Sequence, residues 1–526
     1  MATYASRPAW DVKVRAATRA RPAVPAALAL LVLVGAALRI PKLGIGYWID
    51  EGLSVGIADR PLTAIPGVLR EDGSPPLYYV LLHWWLRLSG TGEVQVRLLS
   101  LLFAVLCVPV AWWAATRMFG ARAGWMAAVL AATNPFLTQY AQEARMYALV
   151  ALLSVAACGC LAHVIGAEGT ERERRPWAAG GAVALAAMLY THLWALFFAA
   201  SWGAAWLVVL WRTPAGPERA AILRAGLIAF GGAILLWLPW VPTVLYQVAH
   251  TGAPWSNKPN VGALISVPGD LLGSVAQGVL ALTAGMGIAE LYTRRDGPRL
   301  RLIAVLLAVG AATVIVPWVL SQASPAWASR YLAVGLGPFL LAAAGGLASA
   351  RRLGVAGVII AAAMGIGTGA QSQKSNVRDV AQAISPSLRP GDLVVSTQPE
   401  QVPVLHHYLP DGVRFSTLTG PVADLGVTDW RDGMIRLRAT SARRDLQPEL
   451  NALPVGARVA LVEPIFDDPK QWQAPWTSTV RARSYQWEQQ ISNDLRFRIM
   501  SIEPPPPLIS PGPIPVEATL YVKTRR

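Results

Sequence analysis

Acidic residues occur in adjacent pairs beside apolar runs: Asp50 and Glu51 in "YWIDEGLS", then Glu71 and Asp72 in "REDGSPPLYY". A carboxylate at such a margin is partly stripped of water. That raises its pKa toward the range in which it can take a proton from a hydroxyl. Further along stand Gln142, Glu143, Arg145 and Tyr147 in "AQEARMYAL", His192 in "YTHLWALFF", and Arg330 with Tyr331 in "SRYL". A guanidinium presents a fork of donors that matches a phosphate. Acids with arginines therefore fit a reaction on a phosphate ester. The departing phosphate is a weak base and needs a cation more than a proton, whereas an incoming hydroxyl needs a base. The sequence has no His-x-x-x-His spacing, so a zinc hydrolase lacks support.

Each of these residues also has an ordinary structural explanation. Asp50 would cap a helix starting at Glu51. Glu71 and Asp72 would form a polar turn before a Pro-initiated helix. Glu143 would sit at a helix N-terminus and share a face with Tyr147 one turn on, with Arg145 pointing elsewhere. His192 would be a packed polar cap, and Arg330 would snorkel toward lipid headgroups.

The elements that must position these groups are membrane helices. Only 15% of the 526 residues are charged, where a soluble chain carries about a quarter. Mean hydropathy is +0.41. About eleven apolar runs are long enough to cross a bilayer: 23–40, 96–116, 122–138, 144–165, 177–191, 194–211, 221–245, 272–292, 301–320, 331–349 and 353–370. The expected organisation is a basic tail (1–22), a membrane domain (23–370) and a soluble domain (371–526). Arg7, Lys13, Arg15, Arg19 and Arg21 precede the first run, and arginines recur in alternate short loops. The positive-inside rule then puts the N-terminus in the cytoplasm, and the acid-bearing loops and the soluble domain outside. It also accounts for the net charge of +15, and no basic patch with interleaved aromatics suggests nucleic acid. Cys107, Cys158 and Cys160 fall inside apolar runs and read as core thiols.

Pro75–Leu88 would span only about 21 Å as a helix, short of a ~30 Å hydrocarbon core. Tyr79, His83 and Arg87 form a polar stripe along it, and a helix of that kind lies in the membrane interface. Beyond residue 370, "SNVRDVAQAISPSL", "PEQVPVLHHYL" and "RRDLQPELNAL" read as helices. "DLVVST", "VRFSTL", "ARVALVEPIF", "LRFRIMSIE" and "EATLYVKT" read as strands, giving a small α/β domain with a Pro-rich connector, "EPPPPLISPGPIPVE".

The ordered series "YWIDEGLS", "DGSPPLYYVLLHWW", "RMFGARAG", "NPFLTQYAQEARMYAL", "YTHLWALFF" and "SRYL" resembles the GT-C superfamily of integral-membrane glycosyltransferases, over roughly residues 25–370. It is similar above all to the protein O-mannosyltransferase and lipid A aminoarabinose transferase branch. The resemblance implies a polyprenyl-phosphate sugar donor, an inverting transfer on the outer side of the membrane, and a first-loop acid acting as base, here Asp50. It implies that Glu143, in the second outer loop, contacts the acceptor or supports the site. A lysine that precedes Pro-Pro in the aminoarabinose branch is Ser74 here. The phosphate contact must then come from elsewhere, with Arg330, Arg145 and His83 as candidates.

The expected protein is a transferase of the bacterial plasma membrane with a cell-envelope glycan, glycolipid or protein as acceptor. Asp50 and Glu143 are its catalytic residues, and Glu51, Asp72, Tyr79, His83, Arg145, Tyr147, His192, Arg330 and Tyr331 bind substrate. An Arg- and Ala-rich composition points to a high-GC bacterium, where mannose or arabinofuranose would be the sugar moved. No redox cofactor is implied; some GT-C enzymes are metal-assisted, and Asp50 and Glu143 could share a divalent ion, but that is not the favoured reading. The alternative is a transporter or flippase of lipid-linked sugars. Transporters keep ionisable residues near the bilayer midplane, often in inverted repeats; here the acids gather at one rim.

Overall fold

A computed structural model describes residues 23–166, 170–370, 373–466, 469–504 and 515–526. The basic tail and the central part of the Pro-rich connector, 505–514, lie outside the described residues. Seven helices are long and apolar enough to cross a membrane: Ala23–Lys42, Glu93–Phe119, Tyr147–Ile165, Ala195–Arg212, Pro217–His250, Gly297–Leu320 and Ser329–Ser349. Val261–Leu272 and Ala276–Thr293 meet at 82° and make an eighth if they count as one broken span. The protein is therefore multi-pass, with seven or eight candidate spans among the described residues where about eleven crossings are expected from the sequence.

The difference has local causes. Ala121–Thr133 is only 13 residues long, because Asn134 ends it. The Asn134 side chain then caps the next short helix, Pro135–Ala141, accepting from the Leu137 N–H at 2.8 Å. Arg351–Gly365 has 15 residues. Glu171–Leu189 has 19, but its first five are all charged, so its apolar part is short. Leu77–Ser89 has 13 residues and is not a candidate span, as its length requires. Tyr79 and His83 face inward, Trp84 and Leu88 face outward, and Arg87 is exposed. The Tyr79–His83 part of the polar stripe thus faces protein, and the side with Trp84 and Leu88 is left for lipid.

The C-terminal domain is built on six strands: β1 (Leu393–Ser396), β2 (Arg414–Thr417), β3 (Gly420–Pro421), β4 (Arg458–Pro464), β5 (Phe497–Glu503) and β6 (Val516–Lys523). Their order is β3-β2-β1-β4-β6-β5. β1 is parallel to β2 and β4, and the other pairings are antiparallel. Side chains alternate across β1. Leu393 and Val395 join a core with Trp476, Val480, Trp487 and Ile491 of helix Pro475–Ser492. Val394 belongs to the other core, which continues through Val404 and Val55 into the membrane part.

That continuity seats the domain on helix Ile49–Ala58. A Cβ on Gly52 would come within 2.4 Å of Val404, and one on Gly56 within 2.0 Å of the Gly426 carbonyl oxygen. Only glycine permits backbones this close. Polar ties surround the apolar seat. The Tyr47 N–H donates to the Tyr408 hydroxyl (2.8 Å), which donates to Glu93 (2.9 Å). Arg431 pairs with Glu71 at 3.1 Å, and Arg60 with Asp424.

Candidate active site

The helix that carries Asp50 begins at Ile49, ahead of the expected start at Glu51. Trp48 is its N-cap and makes no side-chain capping bond. Asp50 is consequently not a cap, and its side chain is left for other work.

Its neighbour Glu51 points into the protein. Arg97, buried on helix Glu93–Phe119, grips it with two hydrogen bonds, Nε to Oε1 at 2.7 Å and Nη2 to Oε2 at 2.6 Å. The Ala144 N–H also donates to Oε1 at 2.8 Å. Arg97 spends its remaining donors on the carbonyls of Leu43, Ile45 and Gly46. Glu51 therefore ties the first loop to the loop after Pro135–Ala141. This geometry gives it a structural task in place of the expected substrate contact.

Asp50 lies between two guanidinium groups, with Arg145 Nε and Arg330 Nη2 each 3.8 Å from Oδ2. At that separation they are ion pairs and not hydrogen bonds. Among the described residues Asp50 Oδ2, Arg145 Nε and Arg330 Nε are buried with no hydrogen-bond partner. Buried polar groups are normally satisfied, so three unmade bonds around one point mark a place where a polar ligand fits.

A helix running through residue 145 would turn Arg145 away from the face of Tyr147. The helix in fact begins at Tyr147, and residues 142–146 form a tight turn that aims Arg145 at Asp50. Its Nη1 donates to the Asp50 carbonyl, the Ser54 hydroxyl and the Tyr79 hydroxyl at 3.2–3.3 Å. Arg330 is braced by the rings of Trp255, Tyr331 and Trp48, whose centroids lie 5.2, 5.5 and 5.9 Å away. Such cation–π contacts hold an arginine without consuming its donors.

The other expected residues divide. Tyr147, His192 and Tyr331 come together, His192 to Tyr331 at 4.7 Å and to Tyr147 at 6.0 Å between ring centroids. His192 Nδ1 accepts from the Trp194 N–H at 3.1 Å, which leaves Nε2–H as a neutral donor. Burial, with Arg145 and Arg330 nearby, pushes its pKa down to about 3. Asp72 is close enough to feel both Arg145 and Asp50, and burial raises its carboxyl above the usual range. His83 is not brought to the group: its Nδ1 is 2.8 Å from the Ala58 carbonyl oxygen.

Sequence reasoning missed Lys374. It follows the last apolar run, and its Nζ reaches back to Glu143 Oε2 at 2.7 Å, 3.9 Å from the centroid of the Trp48 ring. Arg330 and Lys374 thus share one indole. Lys374 was readable as the first basic residue after residue 370, in "QSQKSNVRD", but nothing local says where it reaches.

The molecule follows the course of a crystal structure of ArnT from Cupriavidus metallidurans, with TM-score 0.61, 12% identity, and 94% of this chain and 98% of that one covered. The chain has the GT-C fold. The same enzyme bound to undecaprenyl phosphate aligns with TM-score 0.55 at 13% identity, over the same shares of the two chains. Mycobacterial arabinofuranosyltransferase AftD aligns with TM-score 0.53 at 14% identity; 95% of this chain covers 40% of that longer one. No protein-family model and no curated protein sequence matches the chain. At these identities the GT-C likeness is one of fold, and the chemistry rests on the residues above.

Proposed function

We propose that the protein is an inverting glycosyltransferase that takes a sugar from a polyprenyl phosphate. The observation that carries this reading is the Asp50 carboxylate set between two arginines with unmade hydrogen bonds, on the fold of an enzyme that binds undecaprenyl phosphate. In the reaction, an acceptor hydroxyl attacks the anomeric carbon while the bond from that carbon to the phosphate oxygen breaks. Asp50 takes the hydroxyl proton, and polyprenyl phosphate departs with the bonding electrons. Arg330 and Arg145 neutralise the leaving group, and Lys374 stands beside them in the role left open by Ser74. Two cations at a water-poor rim act strongly on developing charge.

Glu143, held by Lys374, orients the acceptor side. Tyr79, Tyr147, Tyr331 and the neutral His192 line the sugar position, and Asp72 supports them. The acid-bearing face and the C-terminal domain lie outside the bacterial plasma membrane, the helices at 121–133, 171–189 and 351–365 complete a set of up to eleven crossings, and mannose or arabinofuranose is the sugar.

The test is transfer from radiolabelled polyprenyl-phosphate mannose or arabinose to envelope extract by purified protein. Asp50→Asn should lower transfer by roughly 10²–10⁴-fold while undecaprenyl phosphate still binds. Equal transfer by the variant removes Asp50 as base. No transfer with either donor, together with lipid movement across vesicles, identifies a transporter instead.

A further inference from the structure

The C-terminal domain carries an ordered polar cluster that the transfer step does not use. The chain leaves β1 to β2 on one side and returns to β4 on the other, both parallel to it. The carboxyl ends of β1 and β4 therefore flank a switch point, the position where open α/β sheets place ligands. Thr397, Gln398, Pro399, Glu400 and Gln401 succeed β1 at this point, and all of them but Pro399 are buried.

Gln398 links the two residues that matter. Its Nε2 donates to Glu400 Oε1 at 3.3 Å, and its Oε1 accepts from Gln401 Nε2 at 3.4 Å. The Trp476 indole N–H adds a second bond to Glu400 Oε1 at 3.0 Å. Glu400 Oε2 and Gln401 Oε1 are left buried with no partner among the described residues, on side chains whose residues are only 6% and 1% exposed. Two acceptors without donors sit close together in the chain, at a cost that a native fold rarely tolerates without a ligand.

Their placement is pointed. The Pro399–Gln401 turn packs on helix Ile49–Ala58, and the charge of Asp50 is felt at the Glu400 carboxyl. On the outer side, a cleft of about 290 Å³ opens between the two parts of the molecule, walled by His250, Pro254, Ser256, Met434 and Pro475. Trp476 follows Pro475, and Trp255 lies between Pro254 and Ser256 with Arg330 over its ring. Each of these indoles is thus next in sequence to a residue that walls the cleft; one donates to Glu400 and the other lies under the Arg330 guanidinium.

We propose that this cleft leads to an acceptor subsite built on Glu400 and Gln401, and that its occupant is a carbohydrate chain. Neighbouring sugar hydroxyls supply the two donors that these oxygens lack, and the C–H faces of the rings lie on indole. A peptide acceptor would bring amide carbonyls as well as N–H groups, whereas the two atoms left without a partner in this cluster are both acceptors. The proposal rests on the glycosyltransferase reading: it names the class of acceptor for the site at Asp50.

The experiment measures two bindings on full-length protein in nanodiscs. One ligand is undecaprenyl phosphate. The others are soluble fragments of mannan, arabinan and glucan, with a Ser/Thr-rich peptide for comparison, read by saturation-transfer NMR and titration. At least one oligosaccharide should bind the wild type. Glu400→Gln and Gln401→Ala should each weaken it by tenfold or more and leave undecaprenyl phosphate affinity within twofold, which also shows that the variants are folded. Binding of the peptide alone, or oligosaccharide affinity unchanged in both variants, overturns the subsite. Oligosaccharide binding that depends on Glu400 in a protein that ignores undecaprenyl phosphate keeps the subsite and removes the donor assignment.

Discussion

Adjacent acids at one membrane rim do different work. Asp50 stands between two arginines, whereas Glu51 is fully engaged by Arg97 and the Ala144 N–H. Removing one partner of a buried pair strands the other charge, at about 3–5 kcal/mol. Arg97→Leu should therefore lower thermal stability sharply, while Asp50→Asn should lower it less, because its pairs with Arg145 and Arg330 are longer (3.8 Å) and partly exposed; melting of both variants in one detergent separates the roles. His192 provides a pH signature. Its folded pKa is about 3 against an ordinary value near 6.5, so below that value the unfolded chain binds a proton that the folded chain refuses. Stability therefore falls as pH falls through this window. Between pH 7 and 4.5 the wild type should lose about 2–3 kcal/mol more than His192→Asn, checked by chemical denaturation at each pH. The residue types and the rim position of this cluster were legible in the sequence. The direction of Arg145 was not, because a five-residue turn replaced the first turn of the expected helix. Lys374 was beyond reach, since its partner Glu143 lies 231 positions earlier.

At the scale of elements, period and length carried most of the information. The non-spanning helix at 77–89 follows from its length, and the strands of the sheet follow from alternation and β-branched runs. The apolar runs outnumber the candidate spans because apolar composition does not reveal where Asn134 or a charged first turn shortens a helix. Helix Pro475–Ser492 went unread because its buried positions, Trp476, Val480, Trp487 and Ile491, are sparse among polar residues. The seat between helix Ile49–Ala58 and the sheet domain has an exacting requirement at Gly56, where an added Cβ would collide with the Gly426 backbone. Gly56→Leu should unseat the domain. Limited proteolysis should then release the sheet domain from the variant faster than from the wild type, and transfer activity should fall at least tenfold.

At the scale of the whole molecule, one continuous core joins the membrane helices to one face of the sheet. The sheet domain and Asp50 must then lie on the same side of the bilayer. Alkaline phosphatase fused after Arg526 should be active in intact bacteria, and green fluorescent protein at the same place should be dark. The opposite pair of results would invert the orientation derived from the arginine loops.

Lys374 belongs to this last scale as well. It is contributed by the segment after the final membrane helix, and its ammonium lies over Trp48, the cap of helix Ile49–Ala58, one side of which is covered by residues beyond 400. During synthesis, the carboxylate and its arginines are inserted long before their cover is made. On the proposed reaction, a nascent chain would carry the charged groups and still lack their cover. Competence would then arrive with the last quarter of the polypeptide, and a chain released early would leave the donor pool untouched.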